Sequence, residues 1–231
     1  MNIYFLVEGK QTEMKVYPKW ITILVPELTR VQWHHQVNVD NYCIFTGDGF
    51  PSLLDNHLGN SIEDVNSSNK FDYFVICLDS DDDSPEERKQ EVIDFIEKNK
   101  ISLNQKTKLV IIVQNKCFET WFLGNKKVFK KNPQSDFLID CINFYNVREE
   151  DPELMNKPND FEYSASRFHS SYLQELLAER RIKYSKKNPQ GVIEESFLNE
   201  LIKRSQKTKH IPSFSIFIDF CEKIREELIK K

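Results

Sequence analysis

Glycine is scarce: six stand in 231 residues, which argues against a loop-rich or all-β fold. No apolar run approaches the roughly 20 residues that span a bilayer. The N-terminal run from Ile3 to Val7 is far too short for the apolar core of a signal peptide. The five cysteines (Cys43, Cys77, Cys117, Cys141 and Cys221) are scattered, without a C-x-x-C. No Cys/His spacing reads as a zinc site. Neither sign of charge dominates: 32 Lys and Arg against 36 Asp and Glu leave a net charge of −4. That neither requires nor excludes a nucleic-acid partner. There is no internal repeat and no low-complexity tail. What remains is an ordinary soluble globular composition, expected in the cytoplasm. The length suits one large domain or a domain with an appendage.

The charge is unevenly spread. Residues 180–209 hold nine Lys or Arg against three Glu, whereas residues 1–150 hold 17 basic and 23 acidic side chains. An acidic pocket beside a basic segment suits a metal site paired with a grip on backbone phosphates. It also suits chance unevenness along a helical surface.

The most informative stretch is Phe71-Asp72-Tyr73-Phe74-Val75-Ile76-Cys77-Leu78-Asp79-Ser80-Asp81-Asp82-Asp83. An apolar run of strand length ends in four carboxylates within five residues. A strand apolar on both faces belongs inside a covered parallel sheet. Its acids then stand at the carboxyl edge, where open α/β sheets bind ligands. Crowded carboxylates repel one another unless protonated or bridged by a cation. Mg²⁺ (or Mn²⁺) suits oxygen ligands of this kind. A solvated acidic turn capping the next helix is the plainer reading of the same residues.

Along the chain, Asn2 to Val7 reads as a first buried strand, followed by Glu8-Gly9-Lys10-Gln11-Thr12-Glu13. Gly9 permits a tight turn, and Thr12 reads as the N-cap of a helix ending near Pro26. Val37 to Phe45 reads as a second strand. Pro51 to about Asn66 has weak helical periodicity. Ser84-Pro85-Glu86-Glu87 is a strong helix start, with a capping Ser, Pro at the first position and acids in the first turn. Leu109 to Val113 is another buried strand, and a short helix closed by Gly124 follows it. Alternating strands and helices over residues 1–125 predict a four-stranded, mainly parallel sheet flanked by helices. Segments 133–143, 164–182, 192–206 and 213–229 read as helices, so residues 126–231 are expected to form a helical C-terminal extension packed on that core.

In a parallel sheet, Glu8 and the pair Asp79 and Asp81 end strands on the same edge. If those strands are neighbours, three carboxylates converge, with Glu13 as a fourth and Glu119 as a fifth. Such a site would take one or two divalent ions, which would activate water and neutralise a phosphate. Other motifs fit less well. Asp79-x-Asp81-x-Asp83 lacks the Gly and Glu of an EF-hand loop, having Ser84 and Gln90 there. Gly9-Lys10 lacks the upstream glycine of a P-loop. An aspartyl-phosphate phosphatase would leave Glu8 and Glu119 without a role. Trp121 and Phe122 read as core, and His34-His35, His169 and His210 suggest no site. Lys186 could steady a developing negative charge. The cations Arg180, Arg181, Lys183 and Lys187, close together in sequence across a helix end and the following loop, could track a phosphate backbone.

Val7-Glu8-Gly9-x-x-Thr12-Glu13 followed by Leu78-Asp79-Ser80-Asp81 resembles the Toprim domain of topoisomerases, primases and OLD-type nucleases. The finer resemblance is to the RloB-like branch of bacterial phage-defence proteins. That branch has a similar opening motif and a segment like Asn115-x-Cys117-Phe118-Glu119-x-Trp121-Phe122-Leu123. Tyr184-Ser185-Lys186 and Ser213-Phe214 resemble the ends of related Toprim-like defence proteins. The resemblance covers most of residues 1–125 and only touches the rest. It implies that Glu8 is a general acid/base or a metal ligand, and that Asp79 and Asp81 hold Mg²⁺. Glu13 is then a further ligand, although one extra residue before Thr12 departs from the commonest OLD spacing. Asp82 and Asp83 have no counterpart.

The expectation is therefore an α/β, Toprim-like, Mg²⁺-dependent endonuclease acting on DNA or RNA, tRNA included. It would serve antiviral defence with an ATPase encoded in the same locus as partner. A non-catalytic Toprim-like subunit of a defence ATPase complex is the alternative, and a phosphatase on small esters a third. The sequence leaves open the substrate strand, the trigger and whether the chain forms a homo-oligomer.

Overall fold

The structure is a computed structural model describing residues 1–230. All six residues of β1 (Asn2–Val7) are buried, and β1 lies mid-sheet. Its neighbours β3 (Asn41–Thr46) and β4 (Tyr73–Asp79) run parallel to it. Outside them lie β2 (Thr29–Arg30) and β5 (Lys108–Gln114), giving the order β2-β3-β1-β4-β5. The sheet is parallel throughout, so the α/β expectation holds, with five strands instead of four. The extra strand, β2, is two exposed residues paired to β3. Nothing apolar marks it in the sequence. The strand order reverses between β1 and β4, the switch point at which open sheets of this class bind ligands.

By internal contacts the chain forms two compact units. Residues 1–78, 85–113 and 217 onward carry the sheet, and residues 79–84 and 114–216 form the other unit. The expected boundary near residue 125 does not coincide with this division. β4 and β5 each place their last residue, Asp79 and Gln114, in the second unit.

In the first unit, successive strand residues point to opposite faces. Tyr4 and Leu6 face one side with Phe74, Ile76 and Leu78, under Ile62 and Val65 of α2 (Gly59–Ser68) and Val92 of α3 (Pro85–Lys98). Phe5 and Tyr73 meet Phe220 of α8 (Pro212–Ile229) edge-on, with ring centroids 6.4 and 5.6 Å apart. Phe217 meets Tyr17 of α1 (Glu13–Leu24) at 5.2 Å. Each such pair adds about 0.5–1.5 kcal/mol beyond burial. Helix α3 starts at Pro85, as its sequence signal requires. Thr12 is itself helical, with φ −64° and ψ −53°, so it is the first turn of α1 and not an extended cap. The weak periodicity after Pro51 has a cause: Leu53–Leu58 is a wider π-helical turn before α2.

The second unit is helical, with α4 (Phe118–Phe122), α5 (Asp136–Phe144), α6 (Ala165–Glu179), α7 (Glu195–Thr208) and the start of α8. Serines begin two of them: Ser135 Oγ accepts from Leu138 N–H and Ser164 Oγ from Arg167 N–H. Phe168, Tyr172, Leu173, Leu176 and Leu177 form the buried stripe of α6. Arg204 of α7 is buried and donates to the carbonyls of Gly124 and Glu150 at 3.1 and 2.6 Å. Among the described residues, no helix is long and apolar enough to cross a membrane.

Candidate functional site

Beyond Asp79 the chain keeps pairing with the segment that follows β5. Ser80 N–H donates to the Gln114 carbonyl at 2.9 Å, and Asp81 N–H to the Lys116 carbonyl at 2.8 Å. Lys116 N–H returns a bond to Ser80 Oγ at 3.0 Å. Both Asp81 (φ 51°) and Lys116 (φ 68°) take the left-handed conformation, so both segments turn here. Asp81 Oδ1 accepts from Ser166 Oγ at 2.9 Å, on the first turn of α6. Asp82 and Asp83 are exposed. The bend closes with Asp83 N–H donating to the Ser80 carbonyl.

The Lys116 turn leads into α4, whose five residues are all buried. Glu119 is among them, 1% exposed. A buried carboxylate needs partners. Tyr184 OH donates to its Oε1 at 3.1 Å, and Lys186 Nζ lies 3.6 Å from the same oxygen. Tyr184 and Lys186 stand two residues apart in a reversal in which Ser185 and Asn188 pair backbone to backbone. Trp121 and Phe122 are core, as expected. The Trp121 indole N–H donates to Ser213 Oγ at 2.7 Å, and the Phe122 ring meets Tyr184 at 6.1 Å.

Cys117 reports on this neighbourhood. Burial pushes its thiol well above the ordinary range, the charges of Glu119 and Asp79 push it further, and Lys186 opposes them. Two carboxylates and one ammonium thus act on a single buried group. All five cysteines are free and buried.

Glu8 and Glu13 belong to the first unit. Glu8 follows β1, its N–H bonded to the Cys77 carbonyl and its carbonyl accepting from Gly49 N–H, both at 2.9 Å. Glu13 folds back over Gly9: a Cβ on Gly9 would lie 2.2 Å from its Oε2. Gly9 therefore makes room for a carboxylate. It is not among the positive-φ residues of a left-handed turn. In Gly9→Ala the flexible end of Glu13 must swing away. If Glu13 helps hold a cation, this variant should lose Mn²⁺ affinity by calorimetry as Glu13→Ala does. Unchanged affinity in both variants would remove Glu13 from the donor set.

Arg180, Arg181, Lys183 and Lys187 are exposed around the end of α6 and the reversal after it. Sequence reasoning missed Ser166, which reaches Asp81 from 85 residues away. It also missed Glu153. That carboxylate is buried and accepts from Ser213 Oγ at 2.6 Å and from Ser213 N–H. Desolvation raises its pKa to about 7 against those hydrogen bonds. His169 is buried too, and burial lowers its pKa to about 4. Its Nε2 faces the Met155 carbonyl at 3.1 Å and its Nδ1 the Thr120 hydroxyl at 2.8 Å. A carbonyl can only accept, so Nε2 carries the proton and Thr120 donates to Nδ1. The Ser213 signal lay in its resemblance to related chain ends; Glu153 and Ser166 carried none.

Among the described residues, no three His, Cys, Asp or Glu side chains are grouped so as to hold a metal ion. Mg²⁺ commonly takes one or two carboxylates, with waters and phosphate oxygens completing its shell. Asp79, Asp81 and Glu119 are hard oxygen ligands in the second unit, and the charges of Asp79 and Glu119 both act on the Cys117 thiol. Comparisons with protein-family models, curated proteins and solved structures find no match to this chain.

Proposed function

We propose that the chain is a Toprim-like phosphodiester hydrolase acting on nucleic acid. The observation that carries this is the buried Glu119, held by Tyr184 and Lys186 close to the acidic end of β4. Asp79 and Glu119 would hold Mg²⁺ or Mn²⁺, which when bound lowers the pKa of water and offsets phosphate charge. Tyr184 fixes the Glu119 carboxylate. Lys186, exposed at its tip, places an ammonium where a phosphate would gain negative charge. Ser166 orients Asp81. The sequence resemblance assigns the general acid/base role to Glu8, which follows β1. The sequence resemblance adds the rest of the proposal: a cytoplasmic effector of antiviral defence, working with an ATPase partner. Labelled total RNA and plasmid DNA, incubated with Mg²⁺ or EDTA and with or without that ATPase, test it. Cleavage that needs Mg²⁺ supports the reading; intact substrates under every condition reject it.

A non-catalytic subunit is the second reading. One observation favours it: Asp81 and Glu119 already have protein partners in Ser166, Tyr184 and Lys186. Asp79→Ala separates the two readings. In the catalytic reading it should abolish Mn²⁺ binding by calorimetry, with thermal stability in EDTA kept or raised because a like charge is gone. A wild-type protein that takes up no Mn²⁺ yet binds the ATPase would establish the subunit role. Asp81→Ala is the weaker test, because it also loses the Ser166 hydrogen bond, worth about 1 kcal/mol.

A further inference from the structure

Helix α5 has a cleft on each side. One, of about 200 Å³, is lined by aromatic rings with Asp140 and Asp160. The other, of about 370 Å³, has no carboxylate in its lining. Its first wall is the strap of Phe129, Lys130 and Lys131, and Arg148 closes one end. Its second wall is Ile139, Ile142 and Asn143, spaced i, i+3 and i+4 on one face of α5, with Asn146 just beyond the helix end. The residues between point elsewhere: Leu138 and Cys141 are buried. The cleft thus joins cations, carboxamides and flat apolar ground, and its volume is that of a small-ligand site.

The strap is fixed in place. Glu179, the last residue of α6, accepts from Lys130 Nζ at 2.8 Å and from the N–H groups of Gln134 and Ser135 at 2.7 and 2.8 Å. Ser135 Oγ donates to Glu175 at 2.9 Å. These bonds hold the Glu179 carboxyl down at about 2. They also tie the cleft to the basic segment, because Arg180 and Arg181 follow Glu179 directly, and that segment runs on to Tyr184 and Lys186 at Glu119. The charge of Lys130 is met by Glu179; Lys131 and Arg148 are the exposed cations of the cleft, and Arg148 Nε lies 3.6 Å from Oε1 of the exposed Glu149.

We propose that this cleft is a subsite for single-stranded nucleic acid, continuing a strand path that begins at Glu119 and passes Arg181 and Arg180. Lys131 and Arg148 take phosphates. Phe129, Ile139 and Ile142 give a base an apolar surface, and the amides of Asn143 and Asn146 face its edge. Such a combination of a charged track with flat apolar contacts is how strands are held without pairing. The proposal rests on the nucleic-acid reading above, but its test needs neither metal nor cleavage.

The experiment is fluorescence anisotropy of a labelled single-stranded 12-nucleotide RNA in EDTA, across a salt series. Proteins compared are wild type, Lys131→Glu with Arg148→Glu, and a charge-matched control, Lys89→Glu with Lys98→Glu on exposed positions of α3. Each lost phosphate contact on a single strand removes about 0.7 from the slope of log affinity against log salt. The cleft variant should flatten that slope by about 1.4 and bind about tenfold more weakly at low salt, with its melting temperature unchanged. The control should match wild type. If the cleft variant keeps the wild-type slope and affinity, the subsite is overturned while the nucleic-acid reading stands. Equal weakening in the control assigns the effect to net charge and also overturns the subsite. If wild type does not bind at low salt, the nucleic-acid reading falls and takes the subsite with it.

Discussion

Glu8→Gln should slow phosphodiester cleavage on the order of 10²–10⁴-fold if the proposed hydrolase uses Glu8 as its general acid or base. The backbone at Glu8 is bonded to Cys77 on one side and Gly49 on the other. The substitution leaves those backbone bonds in place while it removes the charge and the proton acceptor. Gln keeps the size and one acceptor oxygen. If Glu8 is instead a ligand, the loss should shrink as Mn²⁺ is raised, whereas a lost proton acceptor is not restored by metal. A full Mn²⁺ titration of cleavage rate distinguishes the two roles. Rates within about twofold of wild type at every concentration would take Glu8 out of the proposed site.

A second large effect is hidden in the wild-type protein. His169 has its pKa lowered from 6.5 to about 4 by burial. Between those values the unfolded chain takes up a proton that the folded one refuses, so its contribution is lost as pH falls from 6.5 towards 4. Glu153 has its pKa raised from 4.5 to about 7, again first by burial. Here the folded chain keeps a proton that the unfolded one gives up, so that contribution is full below 4.5 and lost as pH rises towards 7. Each shift corresponds to about 3 kcal/mol at 1.36 kcal/mol per unit, with opposite slopes between pH 4.5 and 6.5. Glu179, held near 2 by Lys130 and two backbone N–H groups, changes below that window. Glu153→Gln, which still accepts from Ser213 N–H, should unmask His169. Stability by urea unfolding should then drop by about 3 kcal/mol between pH 6.5 and 4, where wild type is much flatter. A Glu153→Gln profile parallel to wild type would show that the two groups do not offset one another.

Residues that build elements announced themselves; residues that converge did not. β1, β4 and β5 were readable because each is a strand-length apolar run, and α3 because Ser84-Pro85 marks its start. β2 escaped because Thr29 and Arg30 are exposed and bury nothing. The π-helical turn at Leu53–Leu58 escaped because its period is not that of an α-helix. In the site, carboxylates at strand ends were legible as chemistry. Other groups were not: Ser166 and Glu153 matter only through partners 85 and 60 residues away, and Tyr184 stood out only through the resemblance of Tyr184-Ser185-Lys186. His169 offered no motif, since its significance lies in being sealed between Thr120 and Met155. Gly9 was noticed for the wrong reason, since its absent side chain matters and its torsions do not.

The paired left-handed residues Asp81 and Lys116 carry one more consequence. Left-handed backbone costs a residue with a Cβ roughly 1–2 kcal/mol, and glycine escapes that cost. Aspartate is among the better tolerated there because its short side chain can bond locally; lysine has no such excuse. Glycine at 116 would relax the turn and keep both backbone bonds to residues 80 and 81. The chain instead carries a lysine on a conformationally costly pivot whose backbone is bonded to Ser80 and Asp81. Residue 116 is therefore a place where a single change to glycine should raise stability without disturbing the hydrogen bonds that join the two turns.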